Sequence, residues 1–333
     1  MMSVIKRLKH GETPIDAKIK TPGEPMSNPI TPQRTRDYHE FLMESSRWDD
    51  FEFRDDDILI CTPAKCGTTW TQMICALLIF QKTELARPLT EYSPWMDVLL
   101  APVDKVHRQL QAQTHRRFIK THTPLDGLPY SESVKYICVG RDPRDVFLSL
   151  KNHLENMKPD ALEICRENAT QPWTPPRRSP ENLNEWFCKW IGSACSTARD
   201  HAGHADVLNY VNTFWQYRHL PNILMLHFSD LKADLEGEMR RVADFLHIQV
   251  PEALWPELVQ AASFENMKSK ADLLAPQVTD NVWKDSGRFF NKGSSGQWQD
   301  ILDPKALDLY RQVMSERLEP DLARWLEQGR KQD

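Results

Sequence analysis

The sequence predicts an α/β protein built on an open parallel β-sheet flanked by helices on both faces. Four short apolar runs, ILIC (58–61), RFIK (117–120), YICVG (136–140) and NILMLHF (222–228), are continuous rather than alternating. Such runs suit strands buried on both sides. Each leads through polar loop residues into a helical pattern, and strand–loop–helix repetition builds a parallel sheet. Ligands of such sheets bind outside the carboxyl ends of the strands, so the residues closing each run are the candidates for chemistry.

Residues 1–35 are expected to form a loosely held arm, with prolines at 14, 22, 25, 29 and 32. The basic start MMSVIKRLKHGETPIDAKIK lacks the apolar core of a signal peptide. A single domain is expected over 36–328. After the first run, Trp70, Met73, Ile74, Leu77 and Leu78 follow the stripe of an amphipathic helix. The third run enters DPRDVFLSLKNHLENM, where Val146, Leu150 and Leu154 recur at helical spacing. Asp142 suits the cap of that helix and Pro143 its first turn. After the fourth run, Leu231, Leu235, Val242, Phe245 and Leu246 mark a further helix. Between 158 and 181, prolines at 159, 172, 175, 176 and 180 interrupt the pattern, which predicts an irregular, lid-like insertion. A helix resumes near Glu181–Lys189, with Ser179 as its expected cap.

The bulk numbers exclude several classes. The 333 residues, 40% hydrophobic and 27% charged, are ordinary for a soluble protein. A net charge of -5 argues against nucleic acid as a partner. The longest apolar stretch, MICALLIF, is too short for stable membrane insertion. Cys61, Cys66, Cys75, Cys138, Cys165, Cys188 and Cys195 are odd in number and lack C-x-x-C or metal-ligand spacing. They read as reduced thiols of a cytoplasmic protein without a metal. His201 and His204 read as a solvent-facing pair.

Four stretches carry chemistry. CTPAKCGTTW (61–70) is P-loop-like, but its lysine precedes the only glycine instead of following it. Gly67 permits a tight turn, Thr68 and Thr69 add hydroxyls, and Lys65 adds a charge at a helix start. With the post-glycine lysine missing, a kinase or other triphosphate enzyme is disfavoured. In FIKTHTPLDG, alternation along an extended chain puts Lys120 and His122 on one side, as an electrostatic clamp and a general base. In VGRDPRDVFLSLKNH, Arg141 closes a strand and Ser149 follows about two helical turns later, able to grip a second anion. GRFFNKGSSGQW (287–298) is a glycine-rich loop carrying Lys292 and flanked by aromatics. Each stretch alone also reads as a turn, a strand end or a solvated loop.

Together the four stretches resemble the cytosolic-type sulfotransferases, which use 3'-phosphoadenosine-5'-phosphosulfate (PAPS) and release PAP. The family's P-K-S-G-T-T-W is similar to Pro63, Ala64, Lys65, Cys66, Gly67, Thr68, Thr69 and Trp70. Its K-T-H matches Lys120, Thr121 and His122, and its spaced arginine and serine match Arg141 and Ser149. Its R-K-G-x-x-G-D-W is echoed by Asn291, Lys292, Gly293, Gly296, Gln297 and Trp298. RFIKTHTPLDG, YICVGRDPRDV and SPWMDV resemble most a bacterial branch, the mycobacterial-type glycolipid sulfotransferases.

The resemblance implies metal-independent sulfuryl transfer to a hydroxyl of a small or lipid-like acceptor, with His122 as general base. It implies that Lys65 and Lys120 stabilise the transferring group, and that Lys65, Cys66, Gly67, Thr68 and Thr69 hold the 5'-phosphosulfate. Trp70, Phe228, Ser263 and Phe264 are implied on the adenine side, and Arg141, Ser149, Asn291, Lys292 and Gly293 at the 3'-phosphate. Departures are the inserted Ala64, Cys66 for the loop serine, Phe228 for a frequent tyrosine, and Asn291 for the first arginine of the last motif. ILDPKALDL does not fit the family's C-terminal dimerisation motif. A PAP- or PAPS-binding module without transferase activity is the alternative. Trp95, Met96, Leu99, Leu100 and Trp173 are candidates for an apolar acceptor pocket.

Overall fold

Strands β1 (Ile58–Cys61), β2 (Phe118–Thr121), β3 (Lys135–Gly140) and β4 (Ile223–His227) form one parallel sheet of order β2-β1-β3-β4. The computed structural model describes residues 31–175, 180–193, 206–275, 282–285, 287–290 and 293–330, which fall in the unit Thr31–Asp333. Residues 1–30 of the expected arm (1–35), the Ser179 cap, Cys195 and the pair His201 and His204 lie outside the described residues. No described helix is long and apolar enough to cross a membrane.

The continuous apolar runs have the expected cause. Ile58 and Ile60 of β1 pack with Met73, Ile74 and Leu77 of α1 (Thr68–Phe80). Leu59 and Cys61, one residue out of step, pack on the other face with Tyr210 and Phe214 of the helix Val207–Trp215. Every β1 side chain is therefore buried, and truncating Ile58, Leu59 or Ile60 to alanine would cost about 2–5 kcal/mol. A third cluster joins Val146, Phe147 and Leu148 of α2 (Pro143–Asn156) to Phe187, Tyr310 and Leu326. As expected, the Asp142 side chain caps α2, accepting from the Arg144 amide at 2.9 Å.

Boundaries differ from the sequence reading for local reasons. Arg117 is not in β2; its guanidinium, buried, donates to Asp57 at 2.7 Å below the strand. Phe228 leaves the sheet and opens the helix Phe228–Ala233, whose Ser229 amide donates to the His227 ring at 3.2 Å. The single helix expected beyond it is two, because the Asp234 carboxylate caps Leu235–Phe245 by accepting from the Gly237 amide at 2.8 Å. The stretch 158–181 is not irregular throughout. Pro159 sits in the first turn of the helix Pro159–Asn168, where a missing N–H costs nothing. The helix expected from Glu181 spans Leu183–Ser193, behind Asn182, whose side chain accepts from the Glu185 amide at 3.1 Å.

Candidate active site at the carboxyl ends of the strands

The loop after β1 holds two left-handed residues, Lys65 (φ 69°) and Gly67 (φ 108°). Gly67 is the N-cap of α1 and no side chain caps that end. The helix therefore opens with amides that lack a side-chain acceptor, a ready anion site. The Thr62 and Thr68 hydroxyls meet at 2.5 Å and tie the loop's base. A Cβ at Gly67 would stand 3.3 Å from the Phe228 ring, in a conformation that side chains rarely adopt.

Lys65, Thr68, Thr69, Lys120, His122, Arg141 and Ser149 line one cavity. Lys65 Nζ lies 3.4 Å from His153 Nδ1 and 4.6 Å from the centre of the Phe289 ring. Burial first, then the nearby Arg141 charge, lowers its pKa to about 7. Lys120, the last residue but one of β2, sets its ammonium over the Trp95 ring at 3.6 Å. Burial lowers its pKa to about 7 as well, against the favourable Asp97 charge.

His122 Nδ1 is 2.6 Å from the Thr62 carbonyl oxygen. A carbonyl only accepts, so Nδ1 carries the proton and Nε2 is the basic nitrogen of the neutral ring. The ring also meets Trp95 edge to face, with centroids 4.7 Å apart. Beneath it Asp97, fully buried, accepts from the His122 amide at 3.1 Å and the Thr121 hydroxyl at 2.5 Å. It accepts also from the Thr123 amide and hydroxyl at 3.0 and 2.5 Å, and from Trp95 Nε1. Asp97 thus fixes the backbone that presents Lys120 and His122. Sequence reasoning missed it; the signal was a lone carboxylate in the apolar run SPWMDV.

Arg141, closing β3, is 7% exposed and stacks over Phe228 at 4.1 Å. It donates to the Lys65 and Ser294 carbonyls at 3.0 and 3.3 Å, and its buried Nε has no hydrogen-bond partner among the described residues. Burial lowers its pKa. Ser149 faces the same cavity from α2. Beside them is an aromatic slot. Trp70 is pinned by its Nε1–H to the Ala262 carbonyl at 2.9 Å and meets Phe228 edge to face. Gly293 (φ 63°) approaches Phe264 so closely that a Cβ would stand 2.7 Å from its ring.

Two predicted positions sit elsewhere. The Cys66 thiol packs in the core with Phe147 and Leu148, and burial pushes its pKa up to about 12. Its amide donates to the Pro63 carbonyl at 3.3 Å and so is engaged within the loop. Ser263 caps the helix Phe264–Ser269, accepting from the Asn266 amide at 3.3 Å, and does not line the cavity. Asn291 and Lys292 lie outside the described residues. Of the acceptor-pocket candidates, Trp95 and Leu100 line the cavity while Met96 and Leu99 are fully buried in core clusters. Trp173 packs on that core and donates to the Phe41 carbonyl at 3.0 Å. Trp283 and His153, not singled out from sequence, complete the wall together with Phe289, one of the aromatics flanking the glycine-rich loop.

A cavity with an uncapped helix start, three basic side chains and an aromatic slot fits a doubly anionic nucleotide. The unpartnered Arg141 Nε is the clearest sign of a missing acceptor. Comparison with known proteins agrees. Residues 55–320 match the sulfotransferase domain. The glycolipid sulfotransferase of Mycobacterium bovis (strain BCG / Pasteur 1173P2) is 38% identical over 313 residues, 88% of this chain and 94% of that one. The amine sulfotransferase of Oryctolagus cuniculus is 26% identical over 282 residues, 81% of this chain and 83% of that one. Mouse sulfotransferase SULT7A1, solved complexed with PAP, shares the fold at a TM-score of 0.63 and 21% identity, over 85% of this chain and 92% of that chain. Retinol dehydratase, solved with androsterone and PAP, shares it at a TM-score of 0.61 and 20% identity, over 84% of this chain and 87% of that chain. From the match over most of its length, this chain belongs to the sulfotransferase domain family.

Proposed function

We propose that the chain transfers a sulfuryl group from PAPS to a hydroxyl of a small or lipid-like acceptor, with His122 as general base. The observation that carries this reading is the shared cavity of His122, whose Nε2 is the basic nitrogen, and the ammonium groups of Lys65 and Lys120. When bound, PAPS supplies the activated sulfuryl group.

The protein's own side chains have distinct tasks. His122 Nε2 takes the proton of the acceptor hydroxyl, an effect typically worth about 10²–10⁴ in rate. Lys65 and Lys120 balance negative charge around the sulfuryl group, in a buried site where fixed cations act strongly. Thr68, Thr69 and the amides opening α1 hold the 5' end of the nucleotide. Arg141 and Ser149 take the 3'-phosphate, with Gly293 closing over it. Trp70, Phe228 and Phe264 enclose the adenine, and stacking of that one base contributes about 1–3 kcal/mol.

The lipid-like acceptor is supported by the apolar wall of Leu42, Met43, Leu100, Met157 and Trp283 in the same cavity as His122. The relative named a glycolipid sulfotransferase points the same way. The segment 158–181 serves as a lid over a domain of 36–328, acting in the cytoplasm. Its described part is strapped to the residues before β1: the Glu44 carboxylate accepts from the Thr170 hydroxyl at 2.7 Å, and Arg47 donates to the Asn168 carbonyl at 3.0 Å.

The test is transfer of labelled sulfuryl from PAPS to a panel of hydroxylated lipids, alongside PAP binding. His122→Ala should keep PAP binding and lose turnover by at least about a hundredfold. Unchanged turnover in that variant contradicts the mechanism. PAP binding without transfer by the parent protein to any acceptor favours the binding-module alternative.

A further inference from the structure

The cavity holds a second histidine that the proposed chemistry leaves without a role. His153 lies on α2 one helical turn beyond Ser149, and both residues line the cavity. Its Nδ1 is 3.4 Å from Lys65 Nζ. In its ammonium form Lys65 only donates, so towards that form Nδ1 accepts and the ring carries its proton at Nε2. The ring is held by Trp283, with centroids 4.5 Å apart, and by Phe289 at 5.8 Å. Phe289 in turn lies under the Lys65 ammonium. Lys65 is thus bracketed by an imidazole acceptor and an aromatic face, on the left-handed residue of a loop whose carbonyl is gripped by Arg141.

We infer that His153 is the positioning residue for Lys65, holding its ammonium at the boundary between the nucleotide loop and the apolar wall that faces the acceptor. The inference rests on the reading of Lys65 as the cation beside the sulfuryl group. Lysine is a flexible point charge on a four-carbon stem, and its aim depends on what it touches. His153 supplies the acceptor, while Trp283 and Phe289 fix the ring that carries it. Two of the wall's aromatic side chains therefore help determine where Lys65 points, so acceptor packing against them reaches the lysine without direct contact. A role confined to packing would make the imidazole replaceable by any flat ring of similar size.

Two substitutions separate these roles. His153→Asn keeps an acceptor near the Nδ1 position and loses the ring, whereas His153→Phe keeps the ring and loses the acceptor. The first measurement needs neither cofactor nor turnover: the Lys65 ε-ammonium is titrated by NMR with labelled lysine, its signal assigned through Lys65→Arg. His153→Phe should raise the Lys65 acid dissociation constant about tenfold, as expected for losing a hydrogen bond to a charged group, and His153→Asn should leave it within about threefold. The second is the split of kcat and KM in PAPS-dependent transfer. His153→Phe should lower kcat about tenfold with little change in KM for PAPS, and His153→Asn should restore most of it. A Lys65 titration in His153→Phe no different from that in His153→Asn overturns the inference. Absence of transfer by the parent protein would instead overturn the sulfotransferase reading, and the titration would still decide the role of His153.

Discussion

His122 donates its Nδ1 proton to the carbonyl of Thr62, the residue that follows β1, across 2.6 Å. One strand end thereby fixes the tautomer of a histidine at the end of its neighbour, because Cys61 and Thr121 are register partners. The base must then be Nε2. His122→Asn, which can still donate to Thr62, should lose turnover as fully as His122→Ala, by at least about a hundredfold. PAP affinity should change little in either. Steady-state rates beside calorimetry check this; an asparagine variant within tenfold of the parent would place the base elsewhere.

Asp97 accepts from the backbone and side chains of the Lys120–Thr123 stretch while fully buried. Asp97→Asn turns one acceptor oxygen into a donor facing other donors. We expect a loss of stability of roughly 2–3 kcal/mol, since buried groups left unpaired cost about that much. Denaturant unfolding measures it, and kcat should fall with it because His122 is no longer held. Unchanged stability would mean that the network is not needed for the loop.

Lys65 and Lys120 each have a pKa lowered to about 7, chiefly by burial, in the absence of an anion. A bound phosphate or sulfate favours the ammonium forms and raises both values. PAP binding should therefore take up protons above about pH 7 and weaken as pH rises, with little such dependence below. Stability of the ligand-free protein should run the other way. From about pH 7 to the ordinary lysine value of 10.5, the unfolded chain binds more protons than the folded one, so stability from these groups rises with pH. Calorimetry in buffers of different ionisation enthalpy reads the proton uptake directly. No uptake at pH 8 would contradict the burial of the two ammonium groups.

Gly293 combines a left-handed φ of 63° with a close approach to Phe264. Gly293→Ala strains the backbone and drives a methyl into that ring. PAP affinity should fall by about tenfold, from strain of order 1–3 kcal/mol, with little change in global stability because the loop is peripheral to the core clusters. Affinity equal to that of the parent would show that this loop does not close the nucleotide slot.

Much of the fold was legible because both faces of the sheet are covered. Ile58 and Ile60 and their neighbours Leu59 and Cys61 are all buried, which makes a continuous apolar run an unambiguous strand signal here. Lys65, Lys120, His122 and Arg141 were legible for the same reason: each lies at the end of a run or in the loop just after it. What escaped the sequence depends on pairing between distant segments. Asp97 is one carboxylate in an apolar stretch until Thr121 and Thr123 are brought to it. His153 is a surface-spaced histidine until Lys65, 88 residues earlier, reaches its ring. From sequence Pro159 reads as a breaker because proline ends helices in their interior, yet it starts one here.

The most direct test of the central claim is calorimetric titration of the purified protein with PAP, beside ATP with magnesium. The account predicts micromolar PAP binding that Lys65→Ala and Arg141→Ala each weaken at least about tenfold, as expected for losing a charge-assisted contact, with ATP and magnesium far weaker. Absence of PAP binding, or binding untouched by both substitutions, would contradict it.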